Sequence, residues 1–412
     1  MMFLSFLRDN ARWLAGGMAL TYFSSLGQTF FVSLSAGGIR EEYGLSHGGW
    51  GGLYMLATLG SALTLPMLGQ SIDKFPIWKV CLVTILMLSA ACLSMAWSTH
   101  VVALALTVYC LRLFGQGMMT HIAMTAMGKW YAANRGRAVS IAAIGVNIGE
   151  ATFPLAFVMI AAAVGWRNAW VAGAGVLVVL ALPLIVGAMS KERQPQASDP
   201  DMPVSTGRDW TRGEVLRDPL FYVMLVGVLA PPFIGTTIFF HQVYLTEIRG
   251  WDLQAFAASF AIMSVTVVSF ALLAGYLVDR FSALRLLPVY LIPLGFACLV
   301  LGLVEAQWAV FAFMFLLGIS YGFATTLLGA LWPELYGTAH LGAVRSGIIA
   351  TMVFATALGP GVTGVLIDYG VSYPLQITVM GLYCLAATIV MAAAARAATR
   401  RKLLELEINP AS

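Results

Sequence analysis

Apolar segments of about 20 residues, each long enough to cross a hydrocarbon core of roughly 30 Å, recur from one end of this chain to the other. The sequence predicts twelve, over approximately 12–36, 48–68, 78–97, 101–128, 138–163, 168–189, 219–246, 253–277, 286–304, 308–332, 346–367 and 374–394. With 60% hydrophobic and 10% charged residues, the chain cannot have water as its main solvent, since soluble domains carry roughly a quarter charged residues. The expected fold class is therefore an all-α membrane protein with twelve transmembrane helices.

The first span is too long for a signal-peptide core, and Gly37-Gly38 after it makes no convincing cleavage site, so it is read as retained. Cys81, Cys92, Cys110, Cys298 and Cys384 all fall inside predicted spans and read as small apolar packing residues, not as a disulfide or metal framework. The formal net charge of +4 reports topology and needs no nucleic-acid partner. With both termini in the cytoplasm, 19 of the 23 Lys and Arg lie on cytoplasmic segments; Arg40, Arg167 and Arg249 lie outside and Arg112 within the membrane. The localisation expected is a multi-pass cytoplasmic (inner) membrane.

The one long polar stretch, 190–218, holds Pro195, Pro200 and Pro203 and divides six helices from six. The domain organisation read from this is an N-terminal six-helix bundle over 1–189, a cytoplasmic linker over 190–218, a C-terminal six-helix bundle over 219–396 and a cytoplasmic tail over 397–412. Residues 209–219 suit a short amphipathic surface helix, with Asp218-Pro219 capping the seventh span.

The halves repeat each other at one offset: GQSIDKF at 69–75 aligns with GYLVDRF at 275–281, a shift of 275 − 69 = 206 residues. Lys79 then falls on Arg285, Glu41 on Glu247, Gly44 on Gly250, Gly136 on Gly342, Ser140 on Ser346 and Pro154 on Pro360. Six helices per half give both copies the same orientation, so the repeat axis runs along the membrane normal, as suits two bundles related by pseudo-two-fold symmetry rocking about a central site.

The Gly-x-x-x-Asp-Lys/Arg loop, present between spans two and three and again between eight and nine, resembles that of the major facilitator superfamily over nearly the whole chain. The resemblance implies alternating access and a gating role for Asp73, Lys74, Asp279 and Arg280, with Lys74 standing where the family usually has Arg. WYAANRGRAVSIAAIG (130–145), GWRNAW (165–170) and EVLRDPLFY (214–222) look like the monocarboxylate and oxalate/formate carrier branch and its bacterial relatives.

Two charged residues are predicted deep within spans, Arg112 in the fourth and Glu150 in the fifth. Each costs about 2.5–3.5 kcal/mol uncompensated at the centre of a membrane, so each needs a polar cavity or a partner, and each is the obvious partner of the other. Tyr109, Arg112, Gln116 and Thr120 recur at helical spacing, as do Ser140, Asn147, Glu150 and Pro154, with Gly145 and Gly149 admitting a close neighbour on another side. In this reading Arg112 holds a substrate carboxylate and the released Glu150 takes a proton.

Tyr22, Ser25, Thr29 and Ser33 make a polar stripe on the first span, with Gln28 beside it, and Tyr22 and Gln28 are its substrate or coupling candidates. Further candidates are His241 beyond Pro231-Pro232 on the seventh span, and Tyr321 and Thr325 on the tenth. His121 points away from Arg112 and reads as a helix contact. The eighth span has no Lys or Arg, and Arg345 sits at the mouth of the eleventh.

A phosphate-binding Gly-rich loop, metal-ligand spacing and a nucleophile triad are all missing from the sequence, so neither an enzyme, an ATP-driven pump nor a bound cofactor is expected. The leading function is secondary transport of a small organic anion, monocarboxylate-like, by proton symport or anion exchange, with a proton or counter-substrate as the coupling species. The alternatives are proton-driven efflux of a drug or metabolite, which uptake into inverted vesicles distinguishes, and a non-transporting receptor with a carrier fold, which binds ligand without flux.

Overall fold

The computed structural model describes residues 2–131, 135–191, 193, 209–337 and 340–408. The linker residues Pro195, Pro200 and Pro203, and the tail residues Pro410, Ala411 and Ser412, lie outside the described residues. Ten helices among those described are long and apolar enough to cross a membrane. They form the second (His47–Lys74), third (Ile77–Trp97), fourth (Val101–Trp130), fifth (Gly136–Val164) and sixth (Trp166–Met189) spans, then the seventh (Pro219–Phe240), eighth (Leu253–Phe281), tenth (Trp308–Tyr336), eleventh (Gly347–Asp368) and twelfth (Tyr373–Arg401).

The other two predicted spans take a different form. The ninth keeps a shorter helix, Ile292–Leu303, with Pro293 in its first turn, where a missing N–H costs nothing. The first is broken into Met2–Phe23, Ser24–Gly27, Thr29–Val32, Ser33–Ser35 and Ala36–Tyr43. The break falls at Gln28, whose backbone is extended at φ −80° and ψ 154°. Its polar run of Ser24, Ser25, Gln28, Thr29, Ser33 and Ser35 supplies side-chain partners for the freed backbone: Ser24 Oγ donates to Thr21 O at 2.6 Å and Ser33 Oγ to Phe30 O at 3.3 Å.

The chain forms two compact units. One comprises residues 1–201, 239–261 and 360–368. Its close helix contacts are made by glycine. A Cβ on Gly145 would stand 2.1 Å from Met18 O, and one on Gly149 2.0 Å from Ser25 Oγ, so the fifth span lies directly on the backbone of the first. Gly44 and Gly250, partners in the repeat, end the helices Ala36–Tyr43 and Gln242–Arg249 in the left-handed conformation, at φ 62° and 65°. That explains why glycine stands at both positions.

The other unit comprises 202–238, 262–359 and 369–412. The seventh span is interrupted at Leu229, two residues before Pro231, leaving Pro219–Val228 and Ala230–Phe240. Prolines at 231 and 232 remove the N–H groups that would reach Gly227 and Val228; Tyr290 donates to Gly227 O instead, at 2.8 Å. Gly318 and Gly322 bring the tenth span against the eighth, where added Cβ atoms would meet Thr266 Cβ at 2.7 Å and Val267 O at 2.6 Å.

Thr211 and Glu214 form a reciprocal cap on the single-turn helix Arg212–Val215, within the stretch that the sequence suggests as a surface helix. Asp218 then caps the seventh span by accepting from Leu220 N at 3.1 Å. The same carboxylate accepts from Tyr336 Oη at 3.0 Å and Arg401 Nη1 at 2.7 Å, while the Arg401 guanidinium lies 4.8 Å from the Trp210 ring. The first unit carries a counterpart: Arg193 donates to Asn10 Oδ1 at 3.0 Å and to the Trp130 carbonyl, over the Tyr131 ring at 4.3 Å. Asn10 and Asp218 are 218 − 10 = 208 positions apart, as are Arg193 and Arg401. This separation is two residues longer than the 206 of the aligned loops (208 − 206 = 2), so the two contacts are alike in chemistry without being aligned by that offset.

Candidate functional site

The fourth span is a π-helix from Leu111 to Met119, and Arg112 lies at its start. A wider winding shifts every later side chain around the axis, so Tyr109, Arg112, Gln116 and Thr120 do not form the straight stripe that α-helical spacing predicts. The same segment crosses the break in the first span at closest range. A Cβ on Gly27 would stand 2.1 Å from Leu111 O and 2.7 Å from Gly115 Cα. Only two glycines allow this approach, and it turns the carbonyl of Gly27 toward the fourth span.

Arg112 uses that carbonyl. Its Nη1 donates to Gly27 O at 3.1 Å and to Thr29 Oγ1 at 3.3 Å, and the guanidinium carbon lies 5.2 Å from the Tyr54 ring centroid. Tyr54 Oη and Thr29 Oγ1 share a hydrogen bond of 2.6 Å. Arg112 is 2% exposed and Tyr54 is fully buried. Among the described residues every partner of this cation is neutral, and its Nε has none.

The expected pairing of Arg112 with Glu150 is therefore corrected. Among the described residues Glu150 makes neither an ion pair nor a hydrogen bond, and it is half-buried. The broken first span supplies Arg112 with a carbonyl and a hydroxyl at short range, which sequence spacing along unbroken helices cannot foresee. Both residues nonetheless flank one segment of that span, Tyr22–Gln28. Arg112 reaches it through Gly27, and Glu150 follows Gly149, which packs on Ser25 and Tyr22 O.

Along this segment the half-buried side chains of Gln28, Gln116 and Asn147 also make no hydrogen bond among the described residues. Polar groups within a membrane span tolerate this only beside water or ligand. Tyr22 accepts from Thr152 Oγ1 at 3.3 Å and packs on Phe153 at 4.8 Å between ring centroids. Tyr54 and the Gly27 carbonyl are the contributors that sequence reading missed; Thr29 lies on the expected stripe, and the Ser/Thr/Gln-rich run around Gly27 is the available signal.

The remaining candidates lie elsewhere. His241 is 3% exposed, donates through Nε2 to Pro360 O at 3.2 Å, and sits 6.2 Å from His47 between ring centroids. In the second unit Tyr321 Oη donates to Pro231 O at 3.2 Å and Thr325 Oγ1 to Gly322 O at 2.8 Å. In the repeated loops, Asp73 pairs with Lys129 of the fourth span and not with the adjacent Lys74, which is exposed. Asp279 has no partner among the described residues, and Arg280 Nη1 donates to Tyr276 Oη at 3.2 Å. His121 lies against Gly69, where an added Cβ would stand 2.7 Å from its Nε2.

Residues 18–269 and 233–407 each match the Major Facilitator Superfamily. The chain belongs to that superfamily. Among solved structures, a bacterial homolog of the human lysosomal transporter Spinster, inward-facing and unoccupied, superposes with a TM-score of 0.72 at 14% identity, covering 95% of this chain and 98% of that one. Its occupied form gives 0.67 at 17% identity, covering 95% and 97%. A mutant of the nucleoside transporter NupG gives 0.67 at 14% identity, covering 95% and 99%. At such identities the likeness is one of fold. A search among curated proteins gave no significant match. The chain is thus a multi-pass membrane transporter of the superfamily and not an enzyme.

Proposed function

We propose that this superfamily member carries a small organic anion, monocarboxylate-like, by alternating access, in a cytoplasmic membrane with both termini on the cytoplasmic side. The observation that carries this reading is Arg112: a guanidinium 2% exposed within a membrane span, with only a carbonyl, a hydroxyl and an aromatic face around it. A buried cation without a counter-ion is costly, and a carboxylate that brings the missing charge is bound correspondingly well. The unpartnered Nε leaves a donor on the guanidinium for such a ligand.

Glu150 supplies the coupling step in this reading. In this reading a proton binds the Glu150 carboxyl as the anion enters and leaves when Glu150 reaches water. Anion exchange is the same cycle without that proton. Gln116, Asn147, Gln28 and Tyr22 provide the neutral hydrogen-bonding wall. Asp73, Lys74, Asp279 and Arg280 act at the gating loops, and His241, Tyr321 and Thr325 are secondary candidates for substrate contact.

The test is uptake of a labelled monocarboxylate panel into proteoliposomes holding wild type, Arg112→Gln or Glu150→Gln. Proton-driven uptake lost in Arg112→Gln, with Glu150→Gln retaining exchange but losing net proton-coupled flux, is the expected pattern. Unchanged proton-coupled flux in Glu150→Gln removes that residue from the coupling role.

A second reading is proton-driven efflux of an amphipathic drug or metabolite. It is favoured by the aromatic cluster of Tyr22, Phe31, Phe153 and Phe157 beside the broken span. Accumulation of such compounds, and of no carboxylate, in inverted vesicles selects it.

A further inference from the structure

Residues 239–261 and 360–368 belong to the second half of the repeat by sequence, yet they pack within the first unit. There the second and eleventh spans meet backbone to backbone. A Cβ on Gly51 would stand 2.4 Å from Pro360 O, and one on Gly364 2.4 Å from His47 O. Glycine lets the two helices touch along this seam. At its rim Asp368, the last residue of the eleventh span, accepts from His47 N at 3.0 Å and Gly48 N at 2.8 Å. Its carboxylate thereby answers the free N–H groups and the partial positive charge at the start of the second span.

The second span's own cap does less. Ser46 Oγ accepts from Gly49 N alone, at 3.0 Å, and leaves the first two N–H groups to Asp368. The repeat shows the contrast. Ser46 aligns with Asp252 (252 − 46 = 206), and Asp252 caps the start of its own span, accepting from Gln254 N at 3.0 Å and Ala255 N at 3.2 Å. Asp368 aligns with Ala162 (368 − 162 = 206), which has no carboxylate to offer. The eighth span is thus capped in cis, whereas the second receives its charge from another helix.

We propose that Asp368 is a one-sided latch on the outward mouth of the carrier: a helix cap given in trans, made when the second and eleventh spans close and lost when they part. The inference rests on the alternating-access reading above and on the topology that turns this end outward. Opening strips two N–H groups of their anionic acceptor at one edge of the mouth only, because the Asp252 cap travels with its own span. Asp368 is therefore a positioning residue. It is exposed, so water takes over part of its role on opening, and the latch shifts the closed population severalfold without fixing it.

The reporter is Val243→Cys in a Cys110→Ser background: Val243 is 8% exposed and packs at Gly37, where an added Cβ would stand 3.5 Å from its Cγ1. Labelling by a membrane-impermeant maleimide from the outer side, with no substrate added, is expected to run about fivefold faster in Asp368→Asn and to fall back in Asp368→Glu. Thermal unfolding moves little, and Asp252→Asn leaves the labelling rate unchanged. An unaltered rate in Asp368→Asn overturns the latch, as does an acceleration that Asp252→Asn matches. A second pair separates this failure from failure of the underlying reading. An added Cβ on Gly361 would stand 3.6 Å from Met55 Cβ, a separation that a disulfide spans. Oxidation of Met55→Cys/Gly361→Cys is expected to suppress reporter labelling. If it does so while Asp368→Asn accelerates nothing, the mouth opens and Asp368 does not hold it; if labelling ignores the cross-link, the mouth does not open along this seam and the alternating-access reading of it falls as well.

Discussion

Ser33 Oγ donates to the carbonyl of Phe239 at 2.7 Å, and the two residues are 206 positions apart, the offset of the repeat itself. Gln242 reinforces the contact, donating through Nε2 to Phe30 O and Ser33 Oγ, both at 2.8 Å. The broken first span therefore meets the end of the seventh through residues that the repeat aligns, and the break that frees the Gly27 carbonyl for Arg112 lies six positions earlier (33 − 27 = 6).

Replacing Gly27 with Ala is expected to destabilise the protein by more than about 2 kcal/mol, because the new methyl overlaps Leu111 O and Gly115. Gly52→Ala, with open space around its Cβ direction, is expected to stay within about 0.5 kcal/mol. Thermal unfolding in detergent, followed by size-exclusion, compares the two. Equal stability of both variants contradicts the tight Gly27–Gly115 crossing.

Tyr54→Phe keeps the ring under the Arg112 guanidinium and removes the hydrogen bond to Thr29. A loss near 1 kcal/mol, roughly fivefold in apparent affinity for the transported anion, is expected. Tyr54→Leu removes the ring as well and is expected to cost more. The measurement is KM in proteoliposomes; identical KM values for all three proteins separate Tyr54 from the site.

The Lys129–Asp73 pair is largely solvated, with 47% and 64% side-chain exposure. Lys129→Gln is expected to change stability by less than about 1 kcal/mol. If the loop gates, turnover changes by more than that figure implies while unfolding does not. A change in unfolding temperature that accounts for all of the lost turnover argues for a structural role alone.

Asp218 is 7% exposed and serves a helix N–H, a tyrosine hydroxyl and Arg401. Asp218→Ala strands a partly buried guanidinium and is expected to cost about 3 kcal/mol. Asp218→Asn retains an acceptor for the cap and costs less. Chemical unfolding of the full chain ranks them, and an Ala variant as stable as wild type removes this contact from the forces holding the twelfth span.

Much of the fold is legible in the residues alone, since hydrophobic length marks a span regardless of its neighbours. The 206 offset likewise anticipates that Gly44 and Gly250 stand at equivalent places, and both prove to be left-handed helix ends. The candidate site is less legible. The break at Gln28 and the π-helix at Leu111–Met119 depend on two backbones pressing together at Gly27 and Gly115. That crossing is a tertiary event, and local periodicity does not contain it. Arg112 stands out in the sequence by its charge; its partners Gly27 and Tyr54 do not, because neither is unusual within an apolar span.

Cys81, Cys92, Cys298 and Cys384 are all buried, and Cys110 is partly so. Native thiols are therefore largely silent toward water-soluble maleimides, and Cys110→Ser removes the most accessible of them. A single introduced cysteine at an exposed position such as Lys74 or Asp279 becomes a clean attachment point for a spin label or dye. Distance distributions between such labels report the working cycle of the carrier in the membrane, with four of its own five cysteines left in place.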